Sequence, residues 1–252
     1  MNNYIIIIFI VLIICLLNKY FKFYEFLTNT NPITIIYYAY LKEDKWKYIV
    51  IPQMVDVLNS KILTKANLII NLSGNDQDIK EAINKISKIL NDYIDNITFN
   101  YTYENLYEYT GINSLYEEAN KNPNNIYLYF HSKGMFFHDN NGLNRLNEEK
   151  QLLNIILSKW KEVINIFNSQ THINKVCIGC SPEGFCWYNF FWVRGKYLLN
   201  CKKPIISNDR YYYEMYIGFE NKNSSHNDCY NLIENNSKDF YTMDDIIKAP
   251  KQ

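Results

Sequence analysis

The chain begins with an uninterrupted apolar run, Tyr4 to Leu17 (YIIIIFIVLIICLL), followed by Asn18, Lys19, Tyr20, Phe21 and Lys22. Fourteen residues fall short of the ~20 that cross a bilayer, but Phe21, Phe23, Phe26 and Leu27 extend the segment if the lysines snorkel. The pattern predicts a single-pass membrane anchor over residues 1–27, with either side of the membrane open to the remainder. A polar linker, 28–32, ends it, and Ile33 to Tyr40 (ITIIYYAY) then reads as a strand buried on both faces. Trp46, Ile49, Val50, Met54, Val57 and Leu58 recur at helical spacing, interrupted only by Pro52. Asn67 to Leu72 (NLIINL) is a second strand, closed by the turn Ser73-Gly74-Asn75. Ile79, Ala82, Ile83, Ile86, Leu90 and Tyr93 form the apolar face of a helix whose other face carries Lys80, Glu81, Lys85 and Lys88.

Asn96 to Tyr101 alternates as a third strand, and Ser114 with Glu117 forms a capping box that predicts a helix to about Lys121. Ile126 to Phe130 (IYLYF) is a fourth strand, Leu152 to Phe167 a further helix, and Lys175 to Gly179 a short fifth strand. Strands alternating with helices predict an α/β fold with a mainly parallel sheet flanked by helices, over residues 33–220. Residues 221–252 read as a polar tail with a short helix. In such a sheet the ligand crevice lies beyond the carboxyl ends of the strands, here after Tyr40, Leu72 and Phe130.

Charge narrows the function. Lys plus Arg and Asp plus Glu are 26 each, so no net positive charge marks the chain for nucleic acid. The heavy use of Asn, Ile, Lys and Tyr matches an AT-rich coding sequence. Six cysteines, with Cys15 in the apolar run, leave an odd five elsewhere, which predicts mostly reduced, buried thiols. Cys177, Cys180 and Cys186 invite a zinc reading, but no second pair stands at ribbon spacing, and a strand end rich in small residues explains them as well. No glycine-rich loop follows the first strand, where AYLKED stands, which counts against a dinucleotide-type or methyltransferase site.

The densest polar group at a strand end is His131-Ser132-Lys133-Gly134. Lys133 would neutralise a diphosphate, Gly134 would let the backbone turn and approach closely, and His131 would donate to phosphate or a sugar hydroxyl. An ordinary polar turn after a buried strand is the competing reading. The aromatic run Trp187, Tyr188, Phe190, Phe191 and Trp192 surrounds Asn189, whose amide both donates and accepts; Asn189 and one Trp are expected at the crevice.

Three segments carry a resemblance. Tyr107 to Gly134 (YEYTGINSLYEEANKNPNNIYLYFHSKG) resembles a family of viral and bacterial glycosyltransferases of the GT-A, or nucleotide-diphospho-sugar transferase, type. In that family an acidic-aromatic patch precedes a helix, and a strand then ends in His-Thr/Ser-Lys-Gly. Gly184 to Leu198 (GFCWYNFFWVRGKYL) is similar to its Gly-Asn-Phe-Trp-Trp segment, and Asp209 to Ile217 to its Arg-x-x-x-Glu-x-Trp-Ile. Tyr188 stands where the family has Gly, Phe191 where it often has Trp, and Tyr216 where it has Trp; the family's Thr-Leu pair is split into Thr110 and Leu115. The resemblance implies a GT-A-like, Rossmann-like fold and sugar transfer from a nucleotide-diphosphate sugar to a glycan or protein acceptor. An inactive glycan-binding or scaffold protein of the same fold is the alternative. Glu214 would be the catalytic base, with an ion pair to Arg210 as its structural reading. His131, Ser132, Lys133 and Gly134 would hold the donor, and Asn189, Trp192 and Arg210 the acceptor or sugar. Such enzymes commonly hold Mn²⁺ or Mg²⁺ on an Asp-x-Asp pair near the fourth strand, and none stands there. Asp76, Asp78 and Asp139 are the weak candidates, unless Lys133 takes over the cation's role.

Overall fold

The computed structural model describes residues 32–132 and 141–233. Its strands are β1 (Ile33–Leu41), β2 (Ala66–Gly74), β3 (Ile97–Thr102), β4 (Ile126–His131), β5 (Lys175–Cys177), β6 (Phe191–Arg194) and β7 (Cys229–Asn231). The helices are α1 (Lys47–Asn59), α2 (Asp76–Ile89), α3 (Tyr109–Lys121), α4 (Asn141–Ser158), α5 (Trp160–Ser169), α6 (Gly195–Leu198) and α7 (Arg210–Phe219). The strands form a single seven-stranded sheet in the order β3-β2-β1-β4-β6-β5-β7. β6 runs antiparallel to both its neighbours, and every other pairing is parallel. The fold is therefore mixed α/β and Rossmann-like, as the alternation of elements predicts.

β1 and β4 are the continuous apolar runs, and they sit mid-sheet with all their residues buried except Tyr40. β3, whose pattern alternates, is one of the two edge strands. The core is built on aromatic rings whose polar tips need partners. Tyr37 Oη donates to Gln53 Oε1 at 2.6 Å, Tyr127 Oη to the Glu118 carbonyl at 2.8 Å and Tyr216 Oη to the Lys202 carbonyl at 2.6 Å. Trp46, fully buried, donates its indole N–H to Asp78 Oδ1 at 3.0 Å and so joins the start of α1 to the start of α2.

Four expectations change. First, α3 starts at Tyr109, ahead of the Ser114 capping box, because tertiary packing holds the earlier turn. A Cβ on Gly111 would stand 2.7 Å from Tyr38 Cβ and 2.9 Å from Tyr129 Oη, so only glycine lets this turn lie on β1 and β4. Gly111→Ala is expected to cost about 1–3 kcal/mol through overpacking. An unchanged urea midpoint would contradict that close approach. Second, the helix predicted over 152–167 is two helices, α4 and α5, meeting at Lys159. Trp160 Nε1 at the start of α5 donates to the Ser60 carbonyl at 3.1 Å. Third, the sheet passes beyond residue 220, since β7 pairs with β5; its three residues are too short to show a strand period. That pairing brings Cys229 beside Cys180, and the two form a disulfide, where the sequence predicts reduced thiols; Cys177, Cys186 and Cys201 are free and buried.

Fourth, the expected localisation as a single-pass membrane protein is corrected: among the described residues no helix is long and apolar enough to cross a membrane. The apolar run Tyr4 to Leu17 that suggested the anchor lies outside the described residues.

Candidate functional site

The strand order reverses between β1 and β4. From β1 the chain steps outward to β2 and β3, then returns to place β4 on the other side of β1. At such a reversal the carboxyl ends of β1 and β4 are where a ligand crevice is expected. β4 ends there in His131, paired in register with Tyr38, and the Ser132 N–H continues the ladder to the Tyr38 carbonyl at 2.9 Å.

Glu108, the residue immediately before α3, reaches this strand end. Its Oε1 lies 3.3 Å from His131 Nδ1, with the side chains only 13% and 6% exposed respectively. Its Oε2 accepts hydrogen bonds from Tyr129 Oη at 3.1 Å and from Asn189 Nδ2. On the other side of the ring, His131 Nε2 lies 3.3 Å from the Tyr188 carbonyl. Both ring nitrogens thus face acceptor oxygens, an arrangement that a ring carrying two protons satisfies. Gln53 Nε2 donates to the His131 carbonyl at 3.3 Å, so strand end and side chain are both anchored. Burial, reinforced by the neighbouring Glu108 carboxylate, holds the Tyr129 phenol well above its ordinary value, which keeps it a donor.

Tyr188 and Asn189 are both in the left-handed region, at φ 68° and 58°. Asparagine tolerates this conformation, whereas for tyrosine it costs on the order of 1 kcal/mol or more. The unfavourable turn aims the Tyr188 carbonyl at His131 and the Asn189 amide at Glu108. α7 packs against this turn and carries Glu214, half-buried. Gly218 permits that contact, since a Cβ there would stand 2.7 Å from the Phe185 backbone nitrogen.

The structure brings the buried His131 and Asn189 together through Glu108, with Ser132 next to His131 at the strand end and Glu214 on the helix that packs against the Asn189 turn. Trp192 does not join them. It is fully buried in β6 and donates its indole N–H to the Ile156 carbonyl at 3.1 Å, so it holds α4 to the sheet. Lys133, Gly134, Asp139 and the side chain of Arg210 lie outside the described residues. Asp76 and Asp78 do not fit a shared cation. Asp78 accepts from Trp46 and, at 2.6 Å, from Asn75 Nδ2, while exposed Asp76 is paired with Lys80 at 2.7 Å. Asn75 Oδ1 in turn accepts the Asp78 N–H, the ordinary N-cap of α2.

Glu108 is the residue that sequence reasoning passed over. It lies within the acidic-aromatic patch of the resemblance, which was the available signal; its meeting with His131 and Asn189 depends on how α3 seats on β1. A groove of about 890 Å³ runs from Tyr109 and Thr110 along the face of β2 and β3. Asn67, Asn71, Asn96 and Asn100 give it a lining rich in uncharged amides, with Glu117, Glu118 and Lys121 on the α3 side.

No protein-family model matches the chain, and comparison with curated proteins finds no match. Among solved structures it is similar to a cytidylyltransferase from Leptospira borgpetersenii, with a TM-score of 0.42 and 12% identity over 77% of this chain and 72% of that one. A likeness that distant bears on neither substrate nor reaction, and the functional reading rests on the site.

Proposed function

We propose that the chain transfers a sugar from a nucleotide-diphosphate sugar to a hydroxyl acceptor, with the donor in the crevice between β1 and β4. The observation that carries this reading is the meeting of His131, Glu108 and Asn189, from three distant segments, at the strand-order switch point. A departing diphosphate gathers negative charge and needs preorganised donors. Lys133, the second residue past the strand, supplies a cation and Ser132 a hydroxyl, while His131, whose ring nitrogens face Glu108 and the Tyr188 carbonyl, holds the strand end in place. Glu108 is a positioning residue, which fixes the ring of His131 and the amide of Asn189. Glu214 is the base that takes the proton from the acceptor hydroxyl.

The test is to incubate the full chain with UDP-, GDP- and dTDP-sugars, with and without Mn²⁺, and to measure thermal shift and sugar-nucleotide turnover. At least one donor is expected to raise the melting temperature and to be consumed. Glu214→Gln is expected to lower turnover about 100-fold or more with donor binding retained. Glu108→Gln is expected to raise the donor KM, because the His131 ring loses its anchor. A folded chain that binds none of the donors sinks the proposal.

The amide-lined groove beside α3 favours a second reading, a glycan-binding protein without turnover, because uncharged amides match sugar hydroxyls rather than phosphates. Binding of oligosaccharides with every nucleotide sugar left intact would select it.

A further inference from the structure

Four of the six cysteines converge behind the turn that carries Asn189. Cys177 ends β5, and Cys229 opens β7 beside it. Cys180 and Cys186 face one another across a tight hairpin, closed by the Ser181 N–H on the Phe185 carbonyl and the Trp187 N–H on the Gly179 carbonyl, both at 2.9 Å. The sulfur of Cys177 lies 3.6 Å from that of Cys180 and 3.6 Å from that of Cys229. Those of Cys177, Cys186 and Cys229 all lie within 4.8 Å of one another.

Four thiolates at about 2.3 Å from a tetrahedral zinc stand about 3.8 Å apart. Two edges of this cluster are already near that length, and one other edge is closed by the Cys180–Cys229 disulfide. An isolated disulfide needs no companions, yet here two further cysteines, each buried, press on it. Small backbone hairpins with a Cys-x-x-Cys step, completed by cysteines from elsewhere, suit zinc because it is satisfied by a closed all-sulfur tetrahedron.

We propose that the reduced chain binds Zn²⁺ through Cys177, Cys180, Cys186 and Cys229 as a closed structural site, and that the Cys180–Cys229 disulfide is the oxidised, metal-free form of the same cluster. Interconversion needs a dithiol. Two electrons and two protons pass to the Cys180 and Cys229 sulfurs as the dithiol becomes a disulfide, and the four thiols then release their protons to solvent as they bind zinc. Cys186 immediately precedes the Trp187–Asn189 turn. Zinc at this position anchors β5, β7 and the hairpin together and fixes the turn that presents the Tyr188 carbonyl and the Asn189 amide. The site is independent of the reaction proposed for the crevice.

The full chain, reduced with dithiothreitol, is loaded with Zn²⁺, freed of excess metal and analysed by mass spectrometry for zinc and by Co²⁺ substitution. About one metal per chain and the intense visible absorption of tetrahedral cobalt thiolate are expected. Both are lost in Cys177→Ser and Cys186→Ser and kept in Cys201→Ser, whose sulfur lies outside the cluster. If the serine variants fail to fold, the wild-type chain still decides the matter: zinc protects four thiols from a thiol reagent. A reduced, folded chain that takes up no zinc overturns the proposal, as does full zinc retention by Cys186→Ser or reshuffling among Cys177, Cys180 and Cys229 without metal uptake.

Discussion

Replacing Lys175 with methionine is expected to destabilise the fold by about 3–5 kcal/mol, because it leaves a buried carboxylate without its cation. Lys175 lies in β5 with its side chain wholly buried, and its Nζ stands 2.7 Å from Asp228 Oδ1, whose side chain is 12% exposed. The ammonium also donates to Tyr197 Oη and Ser224 Oγ, each at 3.0 Å, and lies 4.6 Å from the centroid of the Tyr197 ring. Methionine fills much the same volume but offers no charge, so among the described residues the Asp228 carboxylate keeps the Asn174 amide, at 3.2 Å, as its hydrogen-bond donor. Removing both charges together, in Lys175→Met with Asp228→Leu, is expected to recover most of the loss, since a buried pair can be replaced by apolar groups at little net cost. Urea unfolding of the two variants checks this. A single variant within about 1 kcal/mol of the parent would show that solvent reaches the pair.

Stability is also expected to fall steeply in alkali. Burial holds the phenols of Tyr37 and Tyr129 well above their ordinary value of 10.0, with the Glu149 and Glu108 carboxylates respectively adding to the effect. Burial likewise raises Tyr197 and Tyr216, and pushes the Cys201 thiol from 9.0 up to about 12. The folded state therefore keeps protons that the unfolded chain gives up. Stability from these groups is intact below the unfolded values, 9.0 for the thiol and 10.0 for the phenols, and is lost as pH climbs from there towards the folded values. Each group still neutral in the fold while ionised in the unfolded chain removes about 1.4 kcal/mol per pH unit. The urea midpoint is expected to be level to about pH 9 and to drop by several kcal/mol of stability by about pH 11. A level midpoint across that range would mean that the tyrosine core opens to water before it titrates.

The elements that were legible in the sequence share one property: their signal is local. Ile33 to Tyr40 and Ile126 to Phe130 are apolar at every step because both faces of β1 and β4 are covered, and a run of residues shows that without reference to anything distant. The face of α2 was readable for the same reason, since its register repeats within a few turns. The region after α5 was harder because β5 and β7 have three residues each and β6 four, too few to display a period. Trp192 was expected at the crevice from its place in an aromatic run, but the pleat of β6 turns it into the core, and a one-residue step in register decides which way a ring points.

By itself, then, the sequence determined the α/β class, the four leading strands and the polar strand end at His131 and Ser132. Only the tertiary structure decided the reversed β6, the meeting of Glu108 with His131 and Asn189, and the convergence of Cys177, Cys180, Cys186 and Cys229. The division has a physical cause. Periodicity and turn chemistry act between residues a few positions apart, whereas Glu108 meets Asn189 across a separation of 81 residues and Cys180 meets Cys229 across 49. Such contacts are fixed by which strand pairs with which and by how closely Gly111 lets α3 lie on the sheet.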